Sequence, residues 1–140
     1  MQLTPCEHQV QNALPDDAAR TEHIIRLWTY KEAVAKLLGL GAAIEFRSLA
    51  FDLGAAVDFR SLAVNPGSRI TLTSSAADLT EARARTIAFW EGRFGREGDV
   101  HTVVVADWRS AEGVAAEVAV HELSVDTVVA GARALVSGYS

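Results

Sequence analysis

The chain has 140 residues and a mass of 15.0 kDa, enough for one ordinary domain and too little for a second full core. Hydrophobic residues make up 49% and charged residues 22%, which fits a globular chain and argues against wholesale disorder. A formal charge of -5 speaks against a protein that grips nucleic acid through its overall charge. No run of 18 apolar residues occurs, so no membrane span is expected. Met1 to Pro5 lacks the basic and apolar stretches of a secretory signal. Cys6 is the one cysteine, which excludes an internal disulfide, and the chain reads as cytoplasmic.

The elements begin with helices. Thr4-Pro5-Cys6-Glu7 is a helix start: Thr4 can cap, Pro5 fits the first helical position and Glu7 lies three after the cap. This helix is expected to run to about Leu14 and stop before Pro15. Asp16 or Asp17 then caps a long helix whose apolar residues, Ile24, Leu27, Trp28, Val34, Leu37 and Leu38, recur at helical spacing. Gly39 and Gly41 end it. Alternation predicts short strands at Ile44 to Leu53, Val57 to Val64 and Arg69 to Thr73, with a turn at Asn65-Pro66-Gly67. Thr80 is expected to cap a helix reaching about Trp90, followed by a Gly-rich charged loop from Glu91 to Asp99. Strands are expected at His101 to Trp108 and Val114 to Leu123. Ser124 caps a last helix to about Val136, and Ser137 to Ser140 are expected to fray. The fold class is α+β, with helices packed on one face of a mainly antiparallel sheet in a single domain, residues 1–140.

Ala42 to Ala50 is echoed by Ala55 to Ala63 with a period of 13 residues. Two copies are too few and too short for a solenoid, and two neighbouring strands are the simple account. They would set Phe46 and Phe59 on one side and Arg47 and Arg60 on the other, as solvated edges. Trp28, Trp90 and Trp108 read as core anchors. Neighbours in Cys6-Glu7-His8 point apart on a helix, so no metal site is expected there.

The cations are lopsided: of 13, 11 are arginines, and the two lysines, Lys31 and Lys36, fall within one six-residue window. Lysine is a compact point charge that suits a phosphate, whereas arginine is a planar fork. Glu32 and Lys36 are four apart and share a helix face. They can be an ordinary surface ion pair, worth a few tenths of a kcal/mol. They can also be a carboxylate that holds a hard cation beside an ammonium that holds a phosphate. Mg²⁺ takes one or two carboxylates plus substrate phosphates, which suits diphosphate chemistry.

Arg26 to Gly41, read as W-T-x-K-E-A-x-x-K-x-x-G-x-G from Trp28, resembles the signature of the 4′-phosphopantetheinyl transferases. Leu3-Thr4-Pro5-Cys6-Glu7 with Leu14-Pro15 resembles the segment that precedes it, and Ile44-Glu45-Phe46 the strand that follows. The resemblance is specific over Arg26 to Gly41 and extends over residues 3–50. Trp108-Arg109 and Glu112 to Val120 are more loosely similar to the closing strand. The last helix, residues 124–136, matches no part of the pattern.

The resemblance implies transfer of 4′-phosphopantetheine from coenzyme A to a serine of an acyl or peptidyl carrier protein, with Mg²⁺. By position, Glu32 is a metal ligand, and Lys36 contacts the coenzyme A phosphate and assists at the diphosphate. Lys31 is a second cation near coenzyme A, and Glu7 aligns with an acidic residue near the metal. The family's G-x-D-x-E strand, which supplies other metal ligands, has no counterpart in this chain. The chain therefore resembles the C-terminal half of the larger, pseudo-twofold members without its first strand. Either a partner chain or homo-oligomer completes the site, or the protein is a non-catalytic relative that binds a carrier protein or partner subunit. An unrelated α+β domain with a chance K-E-x-x-x-K helix is the remaining alternative. Carrier proteins are acidic, so an acidic chain would have to gather its arginines on one face to meet one.

Overall fold

Thr4 opens the first helix as its spacing to Glu7 predicts. The Glu7 amide donates to Thr4 Oγ1 at 3.3 Å and the Thr4 amide donates to Glu7 Oε2 at 2.8 Å, satisfying two groups that helix geometry leaves unbonded. The molecule is known from a computed structural model that describes residues 2–54, 65–66, 71–96, 99–109 and 123–138. In it α1 spans Pro5–Ala13 and α2 spans Asp17–Leu37. Asp16 caps α2 by accepting from the Ala19 amide at 2.8 Å. Gly39, just beyond the Leu38 cap, has φ +69°, and Gly41 has φ +52°, left-handed conformations that favour glycine. The chain reverses there and comes back beside α2 through two 3-10 turns, Gly41–Ala43 and Phe46–Ser48.

The strands are β1 (Leu49–Asp52), β2 (Asn65–Pro66), β3 (Thr71–Ser74), β4 (Ile87–Arg96) and β5 (Asp99–Trp108). One helical turn, α3 (Glu81–Ala84), precedes β4, and α4 (Val125–Gly138) closes the described chain. All pairings are antiparallel: β1 with β3 in one sheet, and β2-β4-β5 in a second. The α+β class expected from the sequence is therefore the one observed, with the antiparallel sheet divided in two. Among the described residues no helix is long and apolar enough to cross a membrane.

Several local expectations are corrected. Thr80 does cap a helix, accepting from the Arg83 amide at 3.4 Å, but α3 stops after one turn. Ile87 to Trp90 are strand, and the expected loop at Glu91 to Asp99 is the far end of a hairpin in which Arg96 faces Asp99. Ladder pairing with β5, where Ile87, Phe89 and Trp90 stand opposite Trp108, Ala106 and Val105, overrides their weak helical propensity. Phe46 and Ser48 lie on a 3-10 turn, and the strand starts only at Leu49. Asn65 and Pro66 pair with Glu91 and Trp90 rather than forming a turn. Ser137 and Gly138 continue α4. The second repeat copy, at 55–63, and the expected strands at 57–64 and 114–122 lie outside the described residues.

The inward face of α2 also differs from the one expected. Leu27, Tyr30 and Val34 are fully buried, but so are Arg26 and Lys31, whereas Ile24, Ile25 and Trp28 are exposed. Trp90 is a core anchor. Trp28 is 50% exposed, and the half-buried Trp108 carries the Arg83 guanidinium 4.7 Å from its ring centroid. Tyr30, Phe51 and Phe89 form a triangle with ring centroids 5.5 to 5.6 Å apart, which joins α2, β1 and β4.

Arg26 is buried because its fork is fully used. Its Nε and Nη2 donate to the two oxygens of Glu91, each at 2.7 Å, and Nη2 and Nη1 reach the carbonyls of Leu53 and Gly54. The Tyr30 hydroxyl donates to the same carboxylate at 2.9 Å. Burial, then the Glu91 charge, push the Tyr30 phenol far above its ordinary value, so it stays protonated as a donor. His23, one turn before Arg26 and Leu27, is pushed below its ordinary value by burial and then by the Arg26 charge.

Two outcomes are expected. Arg26→Met leaves the Glu91 charge buried without its cation and should cost about 3–5 kcal/mol in urea unfolding. The double variant Arg26→Met/Glu91→Gln should recover part of that loss. For His23, the unfolded chain binds the extra proton at a higher pH than the folded one, so stability falls as pH drops through the region near 6.5. The Tm loss between about pH 7.5 and about pH 5.5 should be smaller in His23→Gln than in the parent protein.

Candidate active site

The signature helix presents its charged residues in different directions. At about 100° per residue, Lys31 and Glu32 diverge, while Glu32 and Lys36 stay within one face. Lys31 points inward and is fully buried. Glu32 is half-buried and Lys36 is exposed one turn further on. Among the described residues no ion pair joins Glu32 to Lys36. The surface-pair account of their spacing is therefore not what the geometry shows.

Glu32 faces a cavity of about 590 Å³, lined also by Gln2 and by the returning segment Ala42 to Phe46. That volume lies in the range of small-ligand sites. The reversal at Gly39 and Gly41 carries Glu45 to the wall of this cavity. The lining of the cavity thus includes two acidic residues, Glu32 and Glu45, and Gln2. These are hard oxygen donors of the kind Mg²⁺ takes, one or two at a time, alongside substrate phosphates. Among the described residues no group of three or more His, Cys, Asp or Glu side chains is gathered as a metal site by itself. The donor set fits a cation whose remaining positions are filled by phosphates and water. Glu45 and Gln2 were not singled out by motif reading, because what brings them beside Glu32 is the turn after α2 rather than any spacing along the chain.

Glu7 and Lys31 sit apart from that cavity's solvent, against one another. Lys31 Nζ lies 2.7 Å from Glu7 Oε2, with both side chains almost wholly inaccessible. The same oxygen accepts from the Thr4 amide, and Oε1 accepts from the Phe51 amide at 3.0 Å. With both oxygens committed and no exposure, the carboxylate of Glu7 has no open face for a metal. Lys31, equally buried, has no open face for coenzyme A. Both side chains are thus buried and bonded into the framework, whereas the family resemblance implied a place near the metal for Glu7 and a contact with coenzyme A for Lys31. Cys6 and His8, on either side of Glu7, are exposed, as neighbours on a helix must diverge. Arg47 is exposed on its 3-10 turn, and Arg60 lies outside the described residues. Arg93, expected in a solvated loop, is on β4 and pairs with Glu22 at 2.9 Å.

No curated protein and no solved structure matches the chain significantly. The family model of the 4′-phosphopantetheinyl transferase superfamily does, over residues 1–91, a span that runs from α1 through the signature helix to Glu91 on β4. That match covers more than half of the chain and includes the described residues that line the Glu32 cavity, so the protein belongs to the 4′-phosphopantetheinyl transferase superfamily.

Proposed function

We propose that this chain transfers 4′-phosphopantetheine from coenzyme A to a serine of an acyl or peptidyl carrier protein, with Mg²⁺ at the diphosphate. The observation that carries this is the opening of Glu32, on the signature helix of the matched family, into a cavity whose other polar walls are Glu45 and Gln2. In this reading Glu32 holds the cation, with Glu45 and Gln2 at hand as further oxygen donors. The cation, when bound, neutralises charge on the diphosphate as it breaks. Lys36 stands in water one turn along α2 and meets a coenzyme A phosphate as a point charge. The serine oxygen bonds to the phosphoryl group that bears pantetheine and gives its proton to water, the P–O bond of the diphosphate bridge breaks, and the nucleotide bisphosphate leaves. The protein's part is positioning and charge, which is where most of the rate of such transfers lies.

A second reading is a non-catalytic relative that docks a carrier protein or partner subunit. It draws on the absence, among the described residues, of a cluster of three or more metal-binding side chains. The two are separated by the mass of a purified acyl carrier protein after incubation with this chain and coenzyme A, with and without Mg²⁺. A gain of one phosphopantetheine that requires the metal is the expected result; no gain from folded protein, with the carrier still bound, would leave the second reading. Glu32→Gln should lower transfer by about two orders of magnitude or more while costing less than about 1 kcal/mol of stability, since Glu32 is only half-buried and, among the described residues, pairs with no cation. Undiminished transfer by Glu32→Gln would remove Glu32 from the metal.

A further inference from the structure

Lys31 has three N–H donors, and each is spent on a different segment. Nζ donates to Glu7 Oε2 at 2.7 Å, to the Phe46 carbonyl at 3.0 Å and to the Gln2 carbonyl at 3.3 Å. Gln2 and Phe46 are both walls of the Glu32 cavity. One buried ammonium therefore ties the segment before α1 to the turn after α2, from behind the cavity that Glu32 enters from the next position on the helix. The Glu7 carboxylate anchors that ammonium and, through the Phe51 amide, the start of the sheet. The Phe46 carbonyl also accepts from the Leu49 amide, so the second 3-10 turn is held at the same point. Bonds to a charged donor are stronger than neutral ones, and here no solvent competes for it.

We propose that Lys31 is a positioning residue of the candidate active site: through the carbonyls of Gln2 and Phe46 it sets the separation of the two walls that face Glu32, and it touches no substrate atom. This rests on the function proposed above. It assigns the two lysines of the signature opposite duties, Lys36 outward to phosphate and Lys31 inward to the chain itself.

Lys31→Met leaves Glu7 buried without a cation and can fail to fold, so the working variant is Glu7→Gln/Lys31→Met, which removes both charges together. In the transfer assay this double variant should lose between about tenfold and about 100-fold in kcat, with KM for coenzyme A changed less than about threefold. Lys36→Met should do the reverse, raising KM for coenzyme A with a smaller loss of kcat. A rise in KM of tenfold or more in the double variant, with kcat retained, would make Lys31 a substrate contact and overturn the proposal. Unchanged kcat and KM would overturn it as well.

Hydrogen exchange of the full chain, without coenzyme A or metal, gives a readout that does not depend on transfer. The amides of Ser48 and Leu49, bonded to the Glu45 and Phe46 carbonyls, should exchange at least about tenfold faster in the double variant, while the amides of Val34 and Ala35 keep their protection. Unchanged exchange at Ser48 and Leu49 would show that the wall stands without Lys31 and would overturn the proposal. If the parent chain transfers nothing, the proposed function fails on that result alone, and the positioning role is decided by the exchange.

Discussion

Charge buried beneath α2 is the constraint on which this architecture depends. Arg26 and Lys31 are five residues apart, so at about 100° per residue they flank a stripe of Leu27, Tyr30 and Val34. Each reaches a carboxylate on another element, Glu91 on β4 and Glu7 on α1. The helix is thus bolted on two sides, with an apolar stripe between the bolts. Desolvating four charges is expensive, and pairing alone does little more than offset it. What the pairs supply is direction. An apolar face tolerates small rotations, but a bidentate fork at 2.7 Å and a three-donor ammonium do not.

That rotation decides the chemistry available on the other side. With Leu27, Tyr30 and Val34 inward, Glu32 emerges at the helix flank beside the returning chain and Lys36 emerges into water. A rotation of α2 by one residue step would carry Glu32 into the buried place that Lys31 holds. The signature is therefore a set of directions around a cylinder as much as a list of ligands. The glycines after the helix complete the arrangement, since the reversal at Gly39 and Gly41 returns Glu45 to the lining of the cavity that Glu32 also lines.

Local features were readable in the sequence because their partners lie within a few residues. The Thr4–Glu7 capping box, the Asp16 cap and the Thr80 cap all formed where the spacing put them. The valine run of β5 was readable from composition. The inward face of α2 was not, because hydropathy counts Arg26 and Lys31 as outward residues, and their burial depends on Glu91 and Glu7, which lie 65 and 24 positions away. β4 was misread for a related reason: its strand character comes from the ladder with β5, not from Thr80 and the residues just after it. Of the residues proposed for the site, Glu32 and Lys36 were singled out by the signature, and the family match covers the helix that carries them. Glu45 and Gln2 were not, since no spacing rule links a residue before α1 to one after α2.

The buried phenol of Tyr30 has an optical consequence. The chain contains two tyrosines, and it is ionisation of a phenol that raises the absorbance near 295 nm as pH is increased. With its hydroxyl given to Glu91 inside the fold, Tyr30 stays silent at that wavelength while an accessible phenol titrates near its usual value of about 10. The part of the alkaline absorbance change contributed by Tyr30 should therefore arrive abruptly, when the helix and the sheet separate. The tyrosine of the aromatic triangle is in this sense an intrinsic chromophore for the integrity of the Arg26–Glu91 clamp.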